Sequence, residues 1–254
     1  MDAPGRGGAD WPASAEAVAH VFVDHLADEC TIDGPDGHHL ERARRIRVGE
    51  AVTAADGTGA WRHYRVVDAA PGRLRCVATD PVRHAPTLRP AIAAAVALTK
   101  GRALDDVVAG LTELGVVRIE PIRTARSVVQ WDDERAMAAV TRWRTIAREA
   151  AMQSRRATVP EVAPVAGVES LAGRPGLVVA DRAGVGPAQL PKPGEAGWLV
   201  VVGPEGGLAP EEAAALGSVP RLAVGRLVLR AQTAPLAVVA TLVSHSTGVP
   251  DVVN

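Results

Sequence analysis

The sequence predicts an α/β protein in two parts: a small β-barrel, then a parallel sheet flanked by helices. Three observations carry that prediction. Between residues 20 and 80, short apolar runs are separated by turn residues, the pattern of a compact all-β unit. From about residue 90 the grammar changes to strands alternating with longer amphipathic runs, as in βα units around a parallel sheet. Within that second part, Trp198–Val202 reads WLVVV without a polar interruption, the mark of a strand covered on both faces.

Taken in order, residues 1–19 are rich in Gly, Ala, Pro and Asp without periodicity and are expected to form a flexible tail. The barrel is assigned to residues 20–80, with strands at His20–Val23, Ala51–Ala54, Trp61–Val67 and Leu74–Ala78. Asp56-Gly57 and Pro71-Gly72 supply the hairpin turns between them, because Gly reaches positive φ without cost to a side chain. A short basic helix is expected over His38–Arg47, with His38 and His39 as cap and packing residues. Residues 81–89, with Pro81, Pro86 and Pro90 nearby, form the linker.

The second domain is assigned to residues 90–248. Ala91–Leu98 is small and apolar, a buried strand. Leu104, Val107, Val108, Leu111 and Leu114 then recur at helical spacing and stop at Gly115, an amphipathic helix with a glycine stop signal. Val116–Ile122 is the next strand, and residues 132–156 the longest helix, with Ala136, Val140, Trp143, Ala147, Ala150 and Ser154 along one stripe. Strands at Leu177–Ala180, Trp198–Val202 and Arg221–Val224 complete the sheet.

Composition bounds the function. Hydrophobic residues make up 47% of the chain and aromatics 3%, so the core must be built from Val, Leu and Ala. A net charge of −1 argues against a bulk polyanion binder. The charge is uneven, however: +3 over residues 38–47, +4 over 118–156 and −4 over 157–220. A nucleic-acid surface is therefore expected to be local and drawn from the first two segments; solvated arginines on helix faces are the alternative. Cys30 and Cys76 lack metal-ligand spacing, so no metal is expected. No run approaches the roughly 20 apolar residues of a membrane helix, and no basic-then-apolar signal opens the chain. These features fit a cytoplasmic protein.

Two loops stand out as candidate chemistry. The first follows Trp198–Val202: VVVGPEGGLAPEE bends at Gly203, Pro204, Gly206 and Gly207, at a strand's carboxyl end, where open α/β sheets bind ligands. A helix follows, with Pro210 in its first turn and Gly217 past its end. The loop lacks the Gly-Lys-Ser/Thr of a P-loop. Glu205, Glu211 and Glu212 would repel a phosphate there, so the loop suits a neutral or cationic ligand. The second is VGRLVLRAQTAPLA, Val224–Ala237.

GPEGG followed by G-x-x-V-L-R-x-x-T-A resembles the C-terminal signature of the ribosomal RNA small subunit methyltransferase E family, in the SPOUT class of S-adenosylmethionine-dependent enzymes. Further segments carry the same likeness: Glu113–Pro121 (ELGVVRIEP), the Q-S-x-R of Gln153–Arg156, and HHL…R.R.GE.V…DG.G in the barrel. The resemblance spans about His20 to Leu242. It implies a PUA-like barrel before a SPOUT domain whose C-terminal loops form a trefoil knot. It departs at Gln232, where Glu is frequent, and at Leu208, Leu227 and Gly110, where Phe, Arg and Lys are frequent. We read Gln232 as a tolerated surface of the loop rather than a lost base.

The resemblance implies methylation of uridine N3 in the decoding region of 16S ribosomal RNA, on the 30S subunit, by a homodimer. It implies S-adenosylmethionine at Gly203, Pro204, Glu205, Gly206, Val224, Gly225, Leu229, Thr233 and Ala234. RNA contacts are expected from Arg42, Arg44, Arg45, Arg47, Gln153, Arg155 and Arg156. Arg230 is the candidate for stabilising charge on the uracil, Glu205 for orienting the cofactor or accepting a proton, and Arg156 a third catalytic candidate. Pairing of Arg230 with Glu205 is the purely structural alternative. At the level of function, the alternatives are methylation of another base or of a ribose hydroxyl, or an inactive RNA-binding assembly factor.

Overall fold

The computed structural model describes residue 12 and residues 17–42, 45–127, 129 and 131–247, without the side chains of 39, 41, 42 and 247. The chain divides into two compact units. One comprises the residues up to Thr87 together with Ala151–Val159; the other comprises Leu88–Ala150 and the chain from Pro160 onward.

The first unit holds β1 (Ala17–Phe22), β2 (Glu29–Ile32), α1 (Gly34–Arg42), β3 (Ala51–Ala55), β4 (Ala60–Ala70), β5 (Arg73–Ala78) and β6 (Arg83–His84). They make one sheet ordered β1-β3-β4-β5-β2, with β6 on β4. β1 pairs with β3 in parallel, and the other pairs are antiparallel. Their shared core includes Val21, Ile32, Val52, Tyr64, Leu74 and Cys76, with Leu40 of α1 packed among them. Asp56 builds the β3–β4 turn: its carboxylate accepts from the Thr58 amide (2.8 Å), the Thr58 hydroxyl (2.8 Å) and the Ala60 amide (3.2 Å).

Three expectations change here. The tail does not extend to residue 19, since Ala17–Ala19 open β1 and the side chains of Ala17 and Ala19 are buried; the rest of that segment, apart from residue 12, lies outside the described residues. The basic helix runs over Gly34–Arg42, not His38–Arg47. Gly34-Pro35 reads as a breaker but sits in the first turn, where a missing N–H costs nothing, and Arg45 has φ +51°, incompatible with a continuing helix. The expected set of strands also lacked β2, an edge strand whose polar residues break the apolar pattern.

The Q-S-x-R segment completes this unit. After Gln153 the chain makes a Schellman-type stop, with the Arg156 amide on the Ala151 carbonyl (2.9 Å) and the Arg155 amide on Met152 (3.2 Å). Arg155 occupies the left-handed position at φ +57°. The next residues pair with the barrel turn: the Gly59 amide donates to the Ala157 carbonyl and the Val159 amide to Gly57, both at 3.1 Å. His20 is anchored between Thr53 Oγ1 (2.8 Å) and the Arg156 carbonyl (2.9 Å).

The second unit holds β7 (Ile92–Ala97), α2 (Ala103–Glu113), β8 (Arg118–Arg123), α3 (Asp133–Gln153, whose end from Ala151 belongs to the first unit), β9 (Glu161–Val162), β10 (Ala166–Gly167), β11 (Leu177–Val185), β12 (Trp198–Val202), α4 (Pro210–Leu216), β13 (Arg221–Leu222) and α5 (Ala234–Thr247). The sheet is parallel throughout, ordered β10-β8-β7-β12-β11-β13 with β9 on β8. Every residue of β12 is buried, because both faces are covered. Val200 and Val202 belong to a core cluster with residues of α2, α3 and α5, while Leu199 and Val201 belong to another with Leu171 and Leu216. Helix α2 lies against α5 at Gly110, where a Cβ would stand 2.8 Å from Leu236; the absent side chain there permits the close packing. Trp143 is fully buried in α3, and its indole N–H reaches Asp105 Oδ1 at 2.9 Å.

Candidate active site

The middle of β11 and the carboxyl ends of β12 and β13 open into a cavity of about 380 Å³, within the range of small-molecule sites. Val202, Leu216, Leu222 and Val238 give it a buried apolar floor. Its walls include two loops separated by α4 and β13, Gly203–Leu208 after β12 and Val224–Ala231 before α5. The order β12-β11-β13 explains the meeting, since Gly203 and Val224 follow strands on either side of β11. Four charged residues are among those lining the cavity: Asp181, Arg182, Glu205 and Arg221.

Three of these charges are tied by hydrogen bonds to the loops and strands around them. Asp181 accepts from the Ala183 amide (2.9 Å) and from Arg221 (2.6 Å). The amide first, and Arg221 with it, hold the Asp181 carboxyl below the usual carboxylate range against the opposing effect of partial burial. Glu205 Oε1 accepts from the Ala231 amide at 3.3 Å. The two loops are thus joined by a carboxylate–amide bond, and not by the Arg230–Glu205 pair of the purely structural alternative. Arg230 is exposed, and its carbonyl accepts the Thr233 and Ala234 amides at 2.9 Å, closing the turn into α5.

Of the residues expected to hold the cofactor, Gly203, Pro204, Glu205, Gly206, Val224, Gly225, Leu229 and Ala234 line this cavity. Thr233 does not; it is exposed and its amide serves the helix turn. Gly225 adopts φ +98° with open space where a Cβ would be, so the glycine is required by conformation rather than by crowding. The open side of Gly206 faces Arg126, whose Cδ lies 3.5 Å from a built Cβ. Sequence reading missed Asp181 and Arg182, although their place just beyond a parallel strand's buried start was a signal. It also missed Arg126, which no local pattern links to a loop 80 residues away.

The expected RNA contacts are dispersed. Arg45, Arg47 and Gln153 are exposed. Arg44 and the side chain of Arg42 lie outside the described residues. Arg155 donates to the Ala17 carbonyl at 2.6 Å. Arg156 is only 8% exposed and donates to Thr158 Oγ1 at 3.1 Å; burial lowers its guanidinium pKa to about 10. Arg156 is not among the residues lining the cavity. Among the described residues no group of three His, Cys, Asp or Glu is placed to hold a metal ion. No described helix is long and apolar enough to cross a membrane.

Comparison with known proteins agrees with this architecture. Residues 87–243 match the RNA methyltransferase domain family, and residues 32–78 match the RNA methyltransferase PUA domain. Ribosomal RNA small subunit methyltransferase E of Mycobacterium tuberculosis is 35% identical over 237 residues, covering 85% of this chain and 88% of its own. The Bacillus subtilis protein of the same description is 29% identical over 222 residues, 81% of this chain and 86% of its own. A crystal structure of the Neisseria gonorrhoeae enzyme, bound to S-adenosyl methionine, superposes with a TM-score of 0.75 at 27% identity, covering 89% of this chain and 97% of that one. A two-unit chain with a PUA domain, a parallel sheet and a two-loop cavity at its carboxyl edge thus belongs to the ribosomal RNA small subunit methyltransferase E family of RNA methyltransferases.

Proposed function

We propose that this protein transfers a methyl group from S-adenosylmethionine to N3 of a uridine in the decoding region of 16S ribosomal RNA, acting in the cytoplasm as a homodimer on the 30S subunit. The observation that carries the reading is the cavity walled by the Gly203–Leu208 and Val224–Ala231 loops. Its chemistry suits the ligand: an apolar floor takes an adenine ring, Asp181 and Glu205 face a ligand with cationic sulfonium and ammonium groups, and Arg182 complements a carboxylate. The cofactor held by the Neisseria relative supports the same assignment. The trefoil-knotted path belongs to this reading; its support is the pairing of β13 with β11 on the side away from β12. Exposed Leu227 and Val228, at 80% and 67%, give the proposed dimer an apolar contact.

S-adenosylmethionine, when bound, supplies an electrophilic methyl on its sulfonium sulfur. The chain's own groups then have three tasks. The two loops hold the acceptor's approach line, with Glu205 fixing one loop to the other through the Ala231 amide. Glu205, exposed at the cavity wall, accepts the N3 proton. Arg230, exposed beside the second loop, meets the negative charge that develops on the uracil oxygens. A uridine in folded RNA must be unstacked to enter such a site.

Mass spectrometry of 16S ribosomal RNA from a strain lacking the gene, with and without the gene restored, tests the assignment. The expected result is loss of one N3-methylated uridine, regained on complementation. Loss of a methyl from another base or a ribose hydroxyl would transfer the activity to that position. An unchanged methylation pattern would make the protein an RNA-binding assembly factor.

A further inference from the structure

The turn after β8 is built rigidly. The Ser127 amide donates to the Thr124 carbonyl (3.0 Å), the Thr124 amide to Ser127 Oγ (3.3 Å), and the two hydroxyls lie 2.8 Å apart. From this turn, two contacts cross to the glycine loop. Arg126 Nη1 donates to the Gly206 carbonyl at 2.7 Å and to the Leu208 carbonyl at 3.2 Å. The Ala125 amide donates to Glu212 Oε1 at 2.6 Å, while Glu212 Oε2 accepts the Ala209 amide at 2.7 Å. The loop is held at three backbone points, Gly206, Leu208 and Ala209, by residues that do not themselves line the cavity.

Left alone, this loop would be a poor wall. Gly206 and Gly207 are exposed, Gly207 turns at φ +68°, and glycine carries the largest backbone entropy of any residue. A guanidinium on two carbonyls makes charge-assisted bonds stronger than neutral ones. We propose that Arg126, with Glu212, is a positioning clamp that holds the glycine loop in its ligand-ready shape, so that S-adenosylmethionine binds without first having to order it. The proposal rests on the reading that this cavity takes S-adenosylmethionine. Its content is preorganisation, which raises affinity by removing an ordering loss.

The test uses the full-length protein and its Arg126→Ala, Arg126→Lys and Glu212→Gln variants. S-adenosylmethionine affinity is measured by calorimetry, and hydrogen exchange of residues 204–209 is followed without ligand. The clamp predicts about tenfold weaker binding for Arg126→Ala, with faster exchange confined to the loop. It predicts a KM for S-adenosylmethionine that rises by a similar factor while kcat falls less than about threefold. Lys keeps the charge but not the rigid planar group that places Nη1 between the two carbonyls, so Arg126→Lys is expected to fall between. A folded Arg126→Ala protein with unchanged affinity and exchange overturns the proposal, as does one whose melting temperature alone falls. If Arg126→Ala does not fold, Arg126→Lys and Glu212→Gln decide by the same two measurements. Failure of the unaltered protein to bind S-adenosylmethionine removes the cofactor reading itself, and with it a clamp for that ligand.

Discussion

His20 makes the stability of the first unit depend on pH in a calculable way. The side chain is 5% exposed and its Nε2 lies 2.9 Å from the Arg156 carbonyl. A carbonyl only accepts, so Nε2 carries the proton, and Nδ1, 2.8 Å from Thr53 Oγ1, is the acceptor of the neutral ring. Burial, aided by the nearby Arg155 charge and opposed by the Arg156 carbonyl, lowers the His20 pKa from 6.5 to about 4. In the unfolded chain the imidazole titrates normally. Below pH 6.5 the unfolded state binds the proton that the folded state refuses, so stability falls with falling pH until about pH 4 and then levels. At roughly 1.4 kcal/mol per unit, the full effect is about 3.4 kcal/mol, of which about 2 kcal/mol is lost between pH 7 and pH 5. For a chain of this size that is a fall of roughly 4–8 °C in melting temperature. Carboxylates titrate in the same range, so the informative quantity is the difference between the natural protein and His20→Gln, whose amide keeps a donor for the Arg156 carbonyl. Urea unfolding across pH 7.5 to 4.5 should show a steep fall for the natural protein and a fall about 2 kcal/mol smaller, from pH 7 to 5, for the variant. Identical slopes, or an NMR midpoint for His20 near 6.5, would refute the reasoning.

Other consequences are equally direct. Gly225→Ala forces a side chain into φ +98° without meeting a neighbour; a strain of about 1–2 kcal/mol predicts roughly tenfold weaker S-adenosylmethionine binding, with Gly194→Ala, which has open space and no positive φ, as the silent control. Gly197→Ala sets a Cβ 2.1 Å from the Ala91 carbonyl oxygen at φ +74°; the combined strain and overlap predict a loss of about 2–5 kcal/mol in chemical denaturation. Arg45→Ala with Arg47→Ala should weaken RNA binding and reduce the slope of log affinity against log salt by roughly two; an unchanged slope would make these arginines merely solvated. Arg230→Ala is expected to slow single-turnover methylation about a hundredfold while binding both ligands nearly normally, and Arg230→Lys to recover only part. A normal rate in folded Arg230→Ala would leave that residue with its helix-turn carbonyl as its whole role.

What the sequence made legible was local. WLVVV at Trp198–Val202, the Pro210 start and the Gly217 stop each announce themselves within a few residues, and β12 and α4 have those bounds. The cavity loops were readable for the same reason: glycines at a strand's carboxyl end are a short-range pattern. What escaped was tertiary. Glu29–Ile32 is a strand because β5 pairs with it, not because of its own alternation. Arg126 touches Gly206 across 80 positions. Ala151–Val159 belongs to the first unit through Gly57, Gly59 and His20, and nothing in QSRRATV says so. Gln153-Ser-x-Arg156 invited a functional reading, and in the structure its backbone ends a helix.

That returning segment bears on how the protein is made. A ribosome releases β1 to β6 first, then the whole of Leu88–Ala150, and only afterwards the strip that closes the first unit. At roughly 5–20 residues per second the interval is several seconds. During it the His20 imidazole has no Arg156 carbonyl to bind, and Gly57 and Gly59 lack their backbone partners at Val159 and Ala157. The nascent barrel is therefore a half-built object awaiting its own downstream chain, and a fragment ending at Thr87 would remain in that state permanently.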